Sequence, residues 1–70
     1  MFPTAVTHPT YRWQRLPELP TVLFAAVPVV GGARQLYMYS ERTGQTYEKR
    51  CHGNDARVRT IVLTFARQSG

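Results

Sequence analysis

Apolar side chains cluster along residues 21–67 in short runs and alternations that predict β-strands. The first run is rich in valine, and the last is rich in β-branched residues. Gly31-Gly32 is a hairpin signal because tight hairpin turns need positive φ, and Arg42-Thr43-Gly44 predicts a second hairpin loop. A third loop is expected at 52–55, where turn formers cluster. The predicted strands cover residues 21–30, 33–41, 45–51 and 57–67.

Residues 1–20 differ from the rest because prolines interrupt them at positions 3, 9, 17 and 20. Each proline fixes its own φ and pushes the preceding residue toward extended geometry, which argues against a long helix. The predicted fold is therefore all-β, a four-stranded antiparallel meander or partly closed barrel with an extended N-terminal arm. The expected division is an arm at 1–20, a β-meander domain at 21–67 and a short tail at 68–70.

The turn positions also predict a register. A two-residue loop at Gly31-Gly32 places Tyr39 opposite Phe24, and a loop at 42–44 places it opposite Tyr47. Tyr37, Tyr39, Tyr47, Lys49 and Cys51 would then share one face with Phe24 and Ala26. The other face would carry Leu23, Ala25, Val27, Val29, Leu36, Met38, Thr46, Glu48 and Arg50. A slip of one residue in either turn would exchange these sets.

Both faces of this predicted sheet carry apolar residues, so both need a cover. A chain of 70 residues hides a small share of its surface and usually needs extra stabilisation. Cys51 is the single cysteine, which excludes an internal disulfide, and with His52 and the distant His8 it makes a poor metal-ligand set. No metal or cofactor is expected, and a partner subunit is the expected source of stability.

The net charge is +5, and eight of the nine basic residues are arginine. Arginine suits an acidic protein surface or nucleic acid, although a GC-rich genome gives the same bias. The longest apolar run, residues 22–30, is too short to span a membrane and contains Pro28. Residues 1–4 lack the features of a signal peptide. An intracellular or virion protein is expected, without a membrane partner.

Three sets of residues are candidate binding sites. Tyr37, Tyr39 and Tyr47 could stack on bases, or they could be ordinary half-buried strand residues. A basic rim of Lys49, Arg50, Arg57 and Arg59 could hold phosphates or an acidic partner, or could be an ordinary solvated strand end that also protects the sheet from edge pairing. In the arm, Tyr11, Arg12, Trp13, Arg15 and Leu16 could anchor a partner, or Trp13 could fold back onto its own sheet.

Catalytic equipment is sparse. His52 and Asp55 could form a base and its orienting carboxylate, but Ser40, Cys51 and Ser69 lack the sequence context of a nucleophile. Four acidic residues and the absence of a glycine-rich phosphate cradle predict that the chain is not an enzyme and takes no small-molecule substrate.

The leading hypothesis is a structural or interaction subunit of a larger assembly, such as a phage capsid or tail protein, whose arm contacts neighbouring subunits. Its partners would be the same or different protein chains. The alternatives are a small basic β-barrel that binds nucleic acid, perhaps as a regulator, and a small inhibitor that docks on a host protein.

Overall fold

The computed structural model describes residues 12–69, and within this range the chain forms an antiparallel sheet with one helix packed on it. The sheet has four strands that follow one another in sequence order and does not close on itself. The predicted four-stranded antiparallel sheet is therefore confirmed, but as an open sheet with a helix rather than a barrel. The elements are β1 (Gln14–Leu16), β2 (Leu19–Pro28), β3 (Arg34–Ser40), β4 (Thr46–Cys51) and α1 (Asp55–Ser69).

The predicted fourth strand at 57–67 is wrong, because these residues lie in α1. The helix begins after Asn54, whose side-chain Oδ1 accepts the N–H of Arg57 at 3.2 Å, as an N-cap does. Asp55 in the first turn and Arg67 in the last turn complement the helix dipole. Gln68 and Ser69, expected in a tail, complete the helix. Its buried residues recur at helical spacing: Val58, Val62, Phe65, Ala66 and Ser69.

The fourth strand of the sheet comes instead from the segment expected to form an arm. β1 pairs with β2 and places Gln14 opposite Phe24. Between Arg15 and Leu16 the register shifts, so that Pro20 lies in a bulge of β2, where a missing N–H is tolerated. Residues 1–11 of the expected arm lie outside the described range.

Both hairpin loops are one residue longer than predicted. The N–H of Val29 bonds to the carbonyl of Ala33, which leaves residues 30–32 as the first loop, and the N–H of Ser40 bonds to the carbonyl of Gln45, which leaves residues 41–44 as the second. The register of β3 therefore shifts by one against both neighbours, and Met38 lies opposite Phe24 and Tyr47.

The hydrophobic core lies between α1 and one face of the sheet. Leu36 and Val62 are fully buried in it, and Met38 is nearly so. The other core residues are Val22, Phe24, Cys51, Val58, Phe65 and Ala66. The helix is thus one of the two covers that the apolar sheet was expected to need. On the opposite face Ala25 and Tyr39 are buried, and Leu23, Val27 and Tyr37 are half-buried.

Candidate functional site

The outer side of β4 is the most accessible strand edge in the described part of the chain. Every residue of β4 except Cys51 is exposed. The strand is last in the sheet order, so its one partner there is β3. Such an edge presents backbone donors and acceptors that can pair with another strand.

The ladder between β3 and β4 shows which backbone groups face outward. Ser40 and Gln45 form a hydrogen-bonded pair, with 2.9 Å between the nitrogen of Ser40 and the oxygen of Gln45. Because hydrogen-bonded and non-hydrogen-bonded pairs alternate along an antiparallel ladder, the pairs at Thr46, Glu48 and Arg50 are of the second kind. The N–H and C=O groups of these three residues point away from β3, and we call this row the β4 edge.

A cleft of about 330 Å³ lies beside this edge, between β4 and α1. We call it the β4–helix cleft; its lining includes Tyr47, Lys49, Thr60, Ile61, Thr64 and Phe65. The rings of Tyr47 and Phe65 stack with centroids 6.2 Å apart, which ties β4 to the helix at one end of the cleft. Thr60 and Thr64 donate their hydroxyls to helix carbonyls one turn earlier. Gln68 also lines the cleft, which therefore offers apolar surface, one side-chain amide and one ammonium group.

The predicted basic rim is spread over three parts of the molecule. Lys49 lines the cleft, whereas Arg50 is next to it on β4, lies on the other face and contacts Gln35. Arg57 lies four residues before Ile61, so it lies on the cleft side of the helix. Arg59 contacts Glu18 in the turn between β1 and β2. Of these four residues, Lys49 therefore lines the cleft, whereas the side chain of Arg57 packs against Gly53 in the loop before the helix.

The candidate stacking face is divided by the observed register. Tyr39 pairs with Thr46, and Tyr37 pairs with Glu48, so both tyrosines lie on the face away from α1. Tyr47 pairs with Met38 on the helix side. The expectation that the three rings share a face is wrong, because both loops are longer than the register assumed.

The arm candidates that the structure describes lie beside or within the sheet. The guanidinium of Arg15 holds Glu41 through two hydrogen bonds, one of them 3.0 Å long, and also donates to the carbonyl of Pro20. Leu16 packs against the core, Trp13 is half-buried and Arg12 is exposed. Tyr11 lies outside the described residues.

Between residues 12 and 69, three ion pairs join segments that are distant in sequence, and they engage three of the four acidic residues. Arg34 donates to Asp55 and to the carbonyl of Gly53, both at 2.8 Å, and so fixes the loop before α1. Hydrogen bonding by Arg15 lowers the pKa of Glu41 below its ordinary value, and hydrogen bonding by Arg59 does the same to the pKa of Glu18. Glu48, the remaining acid, has its side chain on the sheet face away from the cleft. Among the described residues, no acidic side chain lines the cleft.

The residues considered for catalysis have the following contacts and exposure in the structure. Asp55 accepts one hydrogen bond from Arg34, and the hydroxyl of Ser69 donates to the carbonyl of Phe65. Ser40 and Cys51 are buried, while His52 is exposed in a loop. Among residues 12–69 there is no group of three or more histidine, cysteine, aspartate or glutamate side chains placed to hold a metal ion. In the same range no helix has the length and apolar character to cross a bilayer.

Comparisons with protein-family models, with curated proteins and with solved structures gave no match to this chain. The β4 edge and the β4–helix cleft are the features on which a function can be based. Sequence reasoning identified Lys49 and Tyr47 but missed the contribution of the helix. The missed signal was the helical spacing of Val58, Val62 and Phe65 after a capping asparagine.

Proposed function

We propose that this protein is a non-enzymatic interaction subunit that joins a larger assembly by pairing its β4 edge with a strand of another chain. The observation that supports this proposal is the row of outward-pointing backbone groups at Thr46, Glu48 and Arg50, on a strand that is exposed along almost its whole length. Strand addition to such an edge is a common mode of protein recognition.

The contrast between the two sides of the sheet supports the same proposal. β1 has three residues, its register is interrupted by the bulge, and Arg15 is engaged with Glu41. Short, bulged strands of this kind discourage pairing with other chains. β4 is twice as long and has no bulge in its pairing with β3. A virus or phage particle is the assembly we propose, since small subunits of this kind gain stability from their neighbours.

A proline at Glu48 tests the proposal directly. Glu48→Pro removes an outward-pointing N–H, while the ladder bonds between β3 and β4 come from the alternate residues. The matched control is Glu48→Ala, which removes the same carboxylate and keeps the N–H. Analytical ultracentrifugation over a range of concentrations measures self-association, and co-purification from the producing cells measures association with other chains.

We expect association that survives in Glu48→Ala and is lost in Glu48→Pro, with unchanged circular dichroism in both variants. Association that Glu48→Pro leaves intact would overturn the proposal, and so would a chain that associates with nothing. Binding of labelled DNA or RNA that weakens steeply with salt and persists in Glu48→Pro would support the nucleic-acid alternative. Stable capture of a single host protein independent of β4 would support the inhibitor alternative.

A further inference from the structure

The β4–helix cleft lies where alternate side chains of an added strand would project. Side chains alternate between faces along a strand, so every second residue of a strand paired with the β4 edge would be on the same face as Tyr47 and Lys49. That face is the one on which α1 packs. A partner strand would therefore contact the cleft with the side chains of every second residue, while its backbone forms hydrogen bonds with the β4 edge.

The chemistry of the cleft selects for a negative charge in the partner. Lys49 supplies a charged group at the cleft, and Arg57 lies at the N-terminal end of the same side of the helix. Within residues 12–69 neither side chain forms an ion pair. Glu18, Glu41 and Asp55 are engaged with arginines elsewhere.

Apolar surface lies beside this charge. Ile61 is half-buried and Phe65 is buried, and Tyr47 is about half exposed at 48%. The hydroxyls of Thr60 and Thr64 are already bonded within the helix, so they do not require polar partners. An apolar side chain two positions from an acidic one would place both groups on this face.

We propose that the β4 edge and the β4–helix cleft bind an extended acidic segment of a partner protein. In this segment an acidic residue and an apolar residue are two positions apart, so both side chains face the cleft, and the residue between them faces the other side of the sheet. This inference rests on the proposed function and adds the chemical class of the partner. The acidic side chain meets Lys49, and the apolar side chain covers Ile61 and Tyr47. The net charge of +5 favours encounter with such a segment.

A second copy of β4 fits this surface less well. Two copies of β4 related by a two-fold axis can pair most of their residues in two antiparallel registers. One of them places Glu48 opposite Arg50 but also places Lys49 opposite Lys49 of the other copy. The other places Glu48 opposite Glu48. Like charges directly opposite one another destabilise a strand pair, and neither register supplies an acidic group to the cleft.

Selection of short random peptides displayed on phage, against the immobilised full chain, tests the inference. Each enriched peptide is then synthesised and its dissociation constant is measured for the unaltered chain and for the variants. Lys49→Glu reverses the charge in the cleft. Arg67→Glu is the matched control, because it makes the same change in net charge at an exposed helix position outside the cleft lining. Glu48→Pro and Glu48→Ala report on the edge.

The expected result is enrichment of peptides in which acidic and apolar residues are two positions apart. Their affinity should fall about tenfold in Lys49→Glu, as removal and reversal of one exposed charge pair at low salt would produce. It should change less than about twofold in Arg67→Glu, and binding should be lost in Glu48→Pro but not in Glu48→Ala.

The other outcomes separate the two proposals. Peptides that need the edge but are equally affected by Lys49→Glu and Arg67→Glu would overturn the acidic partner and leave the proposed function standing. A homodimer that Glu48→Pro dissociates would do the same. Peptides that bind equally well to Glu48→Pro, or a selection without enrichment, would overturn both. Salt-sensitive binding of oligonucleotides that competes with the peptides at Lys49 would also overturn the inference.

Discussion

At the scale of single residues, arginine has two uses in this chain. Arg15, Arg34 and Arg59 each bind an acidic residue from a different segment and so connect strands, turns and the helix. Exposed ion pairs of this kind contribute little stability each. Their effect is chiefly to orient the segments that they join. Three of the four acids are used in this way, and within residues 12–69 no other basic residue forms an ion pair.

The pairing of Arg59 with Glu18 predicts a titration change confined to one residue. Hydrogen bonding by Arg59 lowers the pKa of Glu18, so Arg59→Gln should raise that pKa toward its ordinary value. The pKa of Glu41, which Arg15 lowers, should stay where it is and serves as an internal control. NMR titration of the side-chain carboxyl carbons measures both.

The sign of the accompanying stability change follows from linkage. A carboxyl group whose pKa is lowered by folding stabilises the native state above its unfolded pKa, and this contribution is lost as the pH falls through the folded value. In Arg59→Gln the free energy of unfolding should therefore fall less than in the unaltered chain as the pH is lowered. An unchanged Glu18 titration in the variant would contradict the contact. The effect should be small because both side chains are about half exposed.

At the scale of elements, α1 acts as the cover of the sheet. Val62 is fully buried at the centre of the helix face that packs on β2 and β3. Val62→Ala should lower the free energy of unfolding by about 2 kcal/mol, because it removes the two buried γ-carbons of the valine side chain and leaves a cavity in their place. Urea denaturation followed by circular dichroism measures this change.

Thr64→Ala is the matched control for that prediction. Thr64 is also β-branched and lies in the same helix, but its side chain is exposed. Its replacement should change the free energy of unfolding by less than about 0.5 kcal/mol. Equal losses in the two variants would contradict the packing of the helix on the sheet.

The hairpins were predictable from the sequence because glycine readily adopts the positive φ that a tight turn requires, and this depends on local sequence alone. Gly31 and Gly44 have positive φ in the loops where the sequence placed turns, and β3 and β4 fall close to their predicted bounds. Loop length was not predictable, since the same glycines fit a loop with one more residue. That single residue moved Tyr37 and Tyr39 to the face opposite Tyr47.

The helix and β1 were missed for different physical reasons. In residues 57–67 the β-branched side chains predict a strand, but this preference is weak and tertiary packing overrides it. The proline pattern predicts an extended arm for residues 1–20, not a strand paired within the sheet. Pro17 instead occupies the turn after β1, and Pro20 lies in the bulge of β2, where the ladder does not need its N–H.

At the scale of the whole molecule, Cys51 reports on folding. It is the single cysteine and is 5% exposed at the end of β4, packed in the core with α1. A thiol reagent should label it at least about a hundredfold more slowly in the native protein than in concentrated urea, because labelling requires opening of the core. Labelling kinetics monitored by mass spectrometry test this.

Intact native circular dichroism combined with fast labelling of Cys51 would contradict this prediction. It would show that the end of β4 opens locally while the rest of the sheet stays folded. The same measurement on Val62→Ala should give faster labelling than on Thr64→Ala, since the valine variant has the lower free energy of unfolding.

The bulge and the brevity of β1 limit how large a homopolymer of this chain can become. Growth of an endless fibre would require the last strand of one molecule to dock on the first strand of the next, repeatedly and in one direction. β1 has three residues and an interrupted register, so it can form few backbone hydrogen bonds with such a strand. Any self-association through the β4 edge would therefore stop after one step, and a solution of the pure protein should not become viscous or form filaments with time.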